Sequence, residues 1–254
     1  MRCRLLLTFS YIIWMIHQIS QYLRGRDSMS GTVGCLLIHG FAGDINDILP
    51  LAKKLREAGY QVECPTLEGH GTTRRHMAKS TRHDWLRSAE EGYKRLSMRA
   101  DTIVVIGFSM GGLLAFHLTT KYPVALLITI NTPYKYWDVK EAVHYLREDF
   151  STHSKRYIHG IGRIPISSML QFRRLLAETK PLLPQITTPY VLLQARRDDT
   201  VHAVSAQILA TSVDESASPQ ITWYEHSNHM LLHGPDKEAA IAHVMTTIKK
   251  RFPS

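Results

Sequence analysis

The sequence predicts an α/β fold with a mostly parallel central sheet flanked by helices. Apolar, strand-like runs alternate along the chain with segments of helical periodicity, and this alternation is typical of parallel sheets. Runs such as Gly34 to Ile38 are continuously apolar, as expected where helices cover both faces of a sheet. A chain of 254 residues with 44% apolar residues is long enough for one large domain of this kind.

The first half of the chain carries a regular alternation of strands and helices. The predicted strands are Gly34 to Ile38, Tyr60 to Cys64, Thr102 to Ile106 and Ala125 to Ile130. Helical spacing marks Ile45 to Ala58, Asp84 to Leu96 and Leu113 to Lys121. We expect Gly59 to end the first of these helices and Asp84 to cap the start of the second, which turns Trp85, Ala89 and Tyr93 to one face.

The alternation breaks between Asn131 and Gln185, where no clear strand occurs. Polar, basic pieces with helical spacing, Val139 to Phe150 and Ser167 to Ala177, fill this stretch. We therefore expect a small helical cap inserted at about residues 131–185. The alternation then resumes with a strand at Tyr190 to Gln194, a helix near Val204 to Thr211, a strand at Gln220 to Tyr224 and a closing helix from Lys237 to Lys250.

Residues 1–28 differ in kind from the rest of the chain. No charged side chain occurs from Leu5 to Tyr22, yet polar residues follow Ile16. The apolar part therefore fits a signal h-region or an interfacial helix better than a full membrane span. Alternatively, Met29 is the functional start and the upstream residues are a dispensable extension. Each interpretation leaves a domain of residues 29–254, and we expect a cytoplasmic protein, membrane-associated if residues 1–28 bind a membrane surface.

Charge and cysteine content exclude several classes of protein. The formal net charge is +9 at pH 7, but the basic residues are scattered, with no Lys/Arg run interleaved with aromatic residues. We therefore expect a solvated basic surface and no nucleic-acid partner. The odd set of Cys3, Cys35 and Cys64 implies no disulfide framework and favours a reducing compartment.

The segment from Gly107 to Gly112 reads Gly-Phe-Ser-Met-Gly-Gly and lies between a predicted strand and a predicted helix. This is the pattern of a nucleophile elbow, in which a sharp strand-to-helix turn exposes the central hydroxyl. Gly107 and Gly111 are then glycines because a Cβ at either place would collide across the turn. The pattern makes Ser109 the candidate nucleophile.

A serine hydroxyl needs a base within hydrogen-bond reach and a third group that orients the base. Asp198 and Asp199 follow the strand that ends at Gln194, and only one of them can face a histidine. We favour Asp198, because it lies first in the loop while Val201 packs back on the domain. Spacing alone does not separate the two carboxylates.

Three histidines compete for the role of base after the strand Gln220 to Tyr224. We favour His229, because His226 is closer to the strand end and His233 enters the next segment. The same three histidines could instead bind a metal, but no carboxylate or thiolate at helical spacing accompanies them. We therefore expect neither a metal nor a cofactor.

The remaining candidates would bind the substrate. In the transition state of ester hydrolysis a negative charge develops on the carbonyl oxygen. The backbone N–H groups of Met110 and Phe41 are the expected donors of the oxyanion hole that stabilises this charge. Phe41 follows His39-Gly40 in the loop after the first strand. Tyr134, Trp137 and Met169 of the cap either line the substrate pocket or pack the cap onto the core; both interpretations are open.

The chain resembles the α/β-hydrolase family, and within it the small bacterial carboxylesterases and monoacylglycerol lipases. The resemblance runs from about Gly34 to Phe252. The segments that carry it are Leu37 to Gly43, Leu67 to Gly71, Asp84-Trp85, Gly107 to Gly112, Leu193 to Asp199 and Trp223 to His229.

The resemblance implies an α/β-hydrolase fold with Ser109 as nucleophile, His229 as base and acid, Asp198 as the orienting residue, and Phe41 and Met110 as oxyanion donors. One departure is Asn228, which stands where the family usually has glycine and which tolerates a left-handed conformation.

The function expected from these residues is hydrolysis of small-molecule or lipid esters through an acyl-enzyme on Ser109, without a cofactor. The first interpretation is a carboxylesterase and the second a monoacylglycerol lipase. A catalytically silent binding protein of the same fold is the alternative from another class. The sequence leaves the oligomeric state open.

Overall fold

The computed structural model describes residues 31–135 and 164–253, which form one six-stranded sheet. All neighbouring strands are parallel, in the order β2-β1-β3-β4-β5-β6. The strands are β1 (Val33–Ile38), β2 (Gln61–Glu63), β3 (Thr102–Phe108), β4 (Leu126–Ile130), β5 (Tyr190–Ala195) and β6 (Gln220–Tyr224). The prediction of a mostly parallel sheet is confirmed.

Helices connect the strands and cover the sheet. They are α1 (Leu49–Glu57), α2 (Arg74–Lys79), α3 (Arg82–Ser97), α4 (Met110–Thr119), α5 (Ile166–Thr179), α6 (Val204–Ser212) and α7 (Lys237–Arg251). Short 3₁₀ turns lie at Ile45–Asp47, Lys180–Gln185, Glu215–Ala217 and Leu231–His233. Parallel strands need a long connection that returns the chain to the same end of the sheet, and the helices between the strands supply it.

The sheet separates two hydrophobic clusters. In β1, Leu36 and Ile38 belong to the cluster that contains the buried Trp85 of α3, whereas Cys35 and Leu37 belong to the cluster beneath α1 and α7. Successive side chains of a strand point to opposite faces, so a strand buried on both sides must be apolar throughout. This explains the continuous apolar run that predicted the strand.

Helix α1 ends as the sequence predicts. Gly59 has φ +88°, the left-handed conformation that glycine adopts without steric cost. The N–H groups of Gly59 and Tyr60 bond to the carbonyls of Arg56 and Leu55, which is the Schellman pattern of helix termination. The start differs from the prediction, because Ile45–Asp47 forms a separate 3₁₀ turn and the helix begins at Leu49, just before Pro50.

The predicted cap of α3 is wrong by one turn. Thr81 is the N-cap residue, and its side chain accepts the N–H of Asp84 while the Asp84 carboxylate accepts the N–H of Thr81. Asp84 is therefore the third residue of the helix in a capping box, and the helix begins at Arg82. The buried face expected for this helix is confirmed, since Trp85, Ala89 and Tyr93 are all buried.

Helix α5 is the longest described element of the expected cap. It agrees with the helical piece predicted at Ser167 to Ala177, and its Ser168 hydroxyl donates to the carbonyl of Met77 at 3.0 Å, next to α2. The sequence did not predict α2, a helix of only 6 residues that begins after Thr73.

The predicted segments Val139 to Phe150 and 1–28 lie outside the described residues, so the domain and cap boundaries stay predictions. Within residues 31–135 and 164–253, no helix combines the length and the apolar character needed to cross a membrane.

Candidate active site

Ser109 lies in a strained turn between β3 and α4. Its φ of 52° and ψ of −121° are rarely adopted by residues with a side chain. A Cβ on Gly107 would collide with the backbone of Gly111 and Gly112, and a Cβ on Gly111 would collide with the carbonyl of Ile38. Glycine is therefore required at both places, as the sequence predicts, but the collision lies across the turn only for Gly107; for Gly111 it lies against the end of β1.

Three predicted side chains from distant parts of the chain meet at the carboxyl edge of the sheet. Ser109 Oγ lies 3.0 Å from His229 Nε2, and His229 Nδ1 lies 2.9 Å from Asp198 Oδ2. All three residues are buried, with 7–8% of their surface exposed. The Nδ1–H group donates to the carboxylate, which leaves the Nε2 lone pair to accept the serine hydroxyl proton.

The loop after β5 holds Asp198 in place. The backbone N–H groups of Thr200 and Val201 donate to Asp198 Oδ1 at 2.9 and 2.8 Å, and the Gln194 amide lies 3.4 Å from Oδ2. Val201 is 1% exposed, so it packs into the domain as expected. Of the two adjacent carboxylates, Asp198 is the one that contacts His229.

The two other histidines of this region lie elsewhere. His226 is exposed, and His233 Nε2 bonds to the carbonyl of Asn46 at 3.0 Å. Among the described residues, no group of three or more His, Cys, Asp and Glu side chains is placed to hold a metal ion. With its Nδ1 beside Asp198 and its Nε2 beside Ser109, His229 is placed where a base for the serine hydroxyl would lie.

The loop after β1 approaches Ser109 closely. A Cβ on Gly40 would lie 3.2 Å from the Cβ of Ser109, so glycine lets this backbone come near. No hydrogen bond of the described residues uses the N–H of Phe41. The N–H of Met110 lies at the first position of α4, where the helix offers no acceptor. Among the described residues, neither N–H group predicted as an oxyanion donor has an acceptor; Met110 directly follows Ser109, and Phe41 directly follows Gly40, whose backbone approaches Ser109.

Buried, neutral histidines hold this loop. His39 Nδ1–H donates to the Gly40 carbonyl at 2.9 Å, and its Nε2 accepts the N–H of Leu67 at 3.2 Å. Burial lowers the pKa of His39 and lowers the pKa of His70 to about 4, which keeps both imidazoles neutral near pH 7. The His70 ring packs edge-on against Phe41, with centroids 6.0 Å apart.

The substrate-lining candidates have different surroundings. The Phe41 ring stacks on Phe172 of α5, with centroids 5.1 Å apart, so the loop after β1 touches a helix of the expected cap. Tyr134 packs against the core, and the Lys180 ammonium lies 4.6 Å from the centroid of its ring. Met169 is partly buried in α5, and Trp137 lies outside the described residues.

The loop that carries His229 is anchored by Asp236 and Ser227, which no sequence motif marks as functional. The Asp236 carboxylate accepts the N–H groups of His226 and Ser227 at 2.9 and 2.8 Å, and the Asp236 N–H donates to Ser227 Oγ at 2.9 Å. Asn228 is not among the left-handed residues; its side chain accepts the N–H of Met230 at 3.0 Å. A polar residue directly before a predicted helix was the only sequence signal for Asp236.

Comparisons with known proteins agree with this geometry. Residues 35–242 match the model of the alpha/beta hydrolase family. The chain is 33% identical to a thermostable monoacylglycerol lipase of Bacillus sp. (strain H-257), over 79% of this chain and 84% of that protein. It is 25% identical to a carboxylesterase of Bacillus subtilis (strain 168), over 84% of this chain and 90% of that protein.

A solved structure of a lipolytic enzyme is similar to this chain over most of its length. The structure comes from work on LipS and LipT, two metagenome-derived lipolytic enzymes, and it matches with a TM-score of 0.73 at 25% identity. The match covers 87% of this chain and 95% of the other. The predicted α/β-hydrolase fold and the resemblance to this family are confirmed. With a family match that spans most of its length, this chain belongs to the alpha/beta hydrolase family.

Proposed function

We propose that this protein is a serine carboxylesterase that hydrolyses carboxylic esters through an acyl-enzyme on Ser109. The observation that carries the proposal is the continuous hydrogen-bond path from Ser109 Oγ through His229 to the Asp198 carboxylate, with distances of 3.0 and 2.9 Å. A hydroxyl, an imidazole and a carboxylate in this order supply a nucleophile, a base and the group that orients the base.

The first half of the proposed reaction acylates the enzyme. His229 Nε2 takes the proton of Ser109 while Oγ attacks the carbonyl carbon of the ester. The tetrahedral intermediate collapses as the bond to the alcohol oxygen breaks, and the imidazolium returns its proton to that oxygen. Asp198 stabilises the transient imidazolium and holds Nδ1–H toward itself, so that Nε2 faces the nucleophile.

The second half releases the acid. A water molecule gives a proton to His229 Nε2 and attacks the acyl carbon, and the proton then returns to Ser109 Oγ as the acyl bond breaks. The N–H groups of Phe41 and Met110 are the proposed donors to the oxyanion in both halves. The Met110 N–H lies at a helix N-terminus, where the helix dipole also favours a negative charge.

Monoacylglycerol is the second candidate substrate. The relative that favours it is the 33% identical monoacylglycerol lipase. The ring of Phe41 is partly buried and stacks on the buried ring of Phe172, which places aromatic carbon near the proposed oxyanion hole, a surrounding that suits an acyl chain. A series of esters from short to long acyl groups separates the candidates, since a monoacylglycerol lipase will show a kcat/KM that rises with chain length.

Labelling with a fluorophosphonate probe tests the proposed nucleophile directly. The expected result is one label on Ser109, loss of labelling and of p-nitrophenyl ester hydrolysis in Ser109→Ala, and both retained in the control Ser97→Ala on α3. A chain that neither labels nor hydrolyses any ester of the series would be a catalytically silent member of the family. Unchanged turnover in Ser109→Ala would overturn the mechanism.

Membrane association through residues 1–28 is a separate proposal. It is supported by the uncharged stretch from Leu5 to Tyr22 alone. Sedimentation with phospholipid vesicles tests it, with the full chain compared to a chain that starts at Met29. Binding by the full chain only is the expected result, and equal behaviour of the two chains would refute the proposal.

A further inference from the structure

Asn131 is a buried polar residue to which the mechanism above gives no role. It directly follows β4, between β3 and β5 in the sheet, and none of its surface is exposed. Its φ of +48° is left-handed, a conformation that asparagine tolerates better than most residues with a side chain. A fully buried amide requires partners for both its oxygen and its nitrogen.

The Asn131 side chain joins the two loops that carry Asp198 and His229. Its Oδ1 accepts the N–H of Ala195, the last residue of β5, at 2.8 Å. Its Nδ2 donates to the carbonyl oxygen of His229 itself at 2.8 Å. One planar amide therefore fixes the distance between the start of the acid loop and the backbone of the base.

The backbone beside this side chain reaches the third loop. The N–H of Ser109 donates to the carbonyl of Ile130 at 2.8 Å, and the N–H of Asn131 donates to the carbonyl of Leu193 at 2.9 Å. The two residues at the end of β4 thus contact the segments that carry the nucleophile, the acid and the base. They do so without an atom of Asn131 at the surface that a substrate would touch.

We propose that Asn131 is a positioning residue that sets the relative placement of His229 and Asp198, and this rests on the function proposed above. An interloop bond made by a rigid amide limits how far the imidazole can move from Ser109. Misplacement of a reacting group by about 1 Å can cost on the order of 100-fold in rate. The position requires a residue that tolerates a left-handed backbone and carries a donor and an acceptor on one short side chain, which asparagine does.

Two substitutions separate the amide from the backbone that carries it. Asn131→Gly keeps the left-handed conformation free of strain and removes both hydrogen bonds. Asn131→Asp keeps an acceptor for the Ala195 N–H but places a carboxylate oxygen against the His229 carbonyl, where a donor is needed. Both should lower kcat for a p-nitrophenyl ester about 10- to 100-fold, with KM changed by less than about twofold.

A matched control accounts for lost stability. Thr129 lies on β4, two residues before Asn131, and its hydroxyl shares a buried hydrogen bond of 2.7 Å with the hydroxyl of Tyr190, the first residue of β5. Thr129→Val should lower the melting temperature and leave kcat within about twofold of the unsubstituted protein, since only folding depends on that bond.

The experiment measures kcat and KM per active site, with the active sites counted by complete fluorophosphonate labelling. The proposal is supported if both Asn131 variants label more slowly and have a lower kcat than the unsubstituted protein, while all of the folded protein becomes labelled in the end. The proposal would be overturned if Asn131→Gly kept a kcat per labelled site within about twofold of the unsubstituted protein. It would also be overturned if Thr129→Val lost as much kcat as the Asn131 variants. If the unsubstituted protein neither labels nor turns over, the proposed function fails instead, and the two failures are distinct.

Discussion

Replacing Ser109 by alanine and by glycine should separate the cost of the turn from the loss of the hydroxyl. Both variants lose the hydrogen bond to His229 Nε2, so a difference in their stability reports the backbone alone. At φ 52° and ψ −121° alanine keeps the strain of a side chain in a forbidden region, whereas glycine is free of it. We therefore expect Ser109→Gly to be the more stable variant, opposite to the usual order.

The size of the stability difference between the two Ser109 variants follows from two opposing contributions to the free energy of unfolding. Backbone strain of this kind costs about 1–3 kcal/mol. Glycine also gains entropy in the unfolded chain, which lowers the free energy of unfolding by about 0.4–1 kcal/mol relative to alanine. The difference leaves Ser109→Gly more stable by about 1 kcal/mol. In a domain of this size that corresponds to a melting temperature higher by about 2–4 °C.

Thermal unfolding followed by circular dichroism measures this difference, with Ser88 as the control position. Ser88 lies in the middle of α3, where glycine should be less stable than alanine by about 1 kcal/mol. Both Ser109 variants should also lose ester hydrolysis by about 10⁴-fold or more. An alanine variant at Ser109 as stable as the glycine variant, or more stable, would refute the argument from strain.

Three further predictions concern the acid, the turn and the pH dependence of stability. Asp198→Asn should lower kcat by about 10⁴-fold, whereas Asp199→Asn should change it little, and steady-state kinetics compares them. Gly111→Ala should lower the free energy of unfolding in urea by about 1–3 kcal/mol, because the added Cβ meets the Ile38 carbonyl; an unchanged value would contradict this contact. Burial lowers the pKa of His70 from 6.5 to about 4, so the unfolded chain binds a proton in this range that the folded protein does not. The contribution of neutral His70 to stability is therefore fully present above pH 6.5 and is lost as the pH falls toward 4. In urea titrations from pH 7 to 4.5, His70→Gln should make the fall of the unfolding free energy with pH less steep, by the equivalent of up to one proton.

Local patterns located most of the elements correctly. The strand Gln220–Tyr224 has the predicted bounds, and α6 and α7 differ from the prediction by a residue at their ends. Such segments are apolar or periodic over their whole length, and burial against the sheet determines both features. The helix end at Gly59 could also be predicted from the sequence, because the left-handed position that follows a helix in a Schellman motif strongly favours glycine.

Other local choices depend on competition between neighbours. Thr81 and Asp84 are both good capping residues, and the reciprocal bonds of the capping box decided between them. Helix α2 has 6 residues, too few for a period to be recognised. The choice between Asp198 and Asp199 likewise needed the two backbone N–H groups that fix the Asp198 carboxylate, which no spacing rule describes.

The sequence by itself determined the family, the alternation of strands and longer helices along the chain, and Ser109, His229 and the pair Asp198 and Asp199 as candidates. Each of these features depends on a short stretch of sequence, since the residues of a glycine-flanked turn, or of a polar loop after an apolar strand, are enough to recognise it. The tertiary structure decided how those loops are held together. The hydrogen bonds of Asn131 and of Asp236 join residues that are 98 and 9 positions from their partners. The contact of Asn131 with His229 exists only because folding of the parallel sheet brings the carboxyl ends of its strands to one edge, whereas Asp236 meets Ser227 within the connection between β6 and α7.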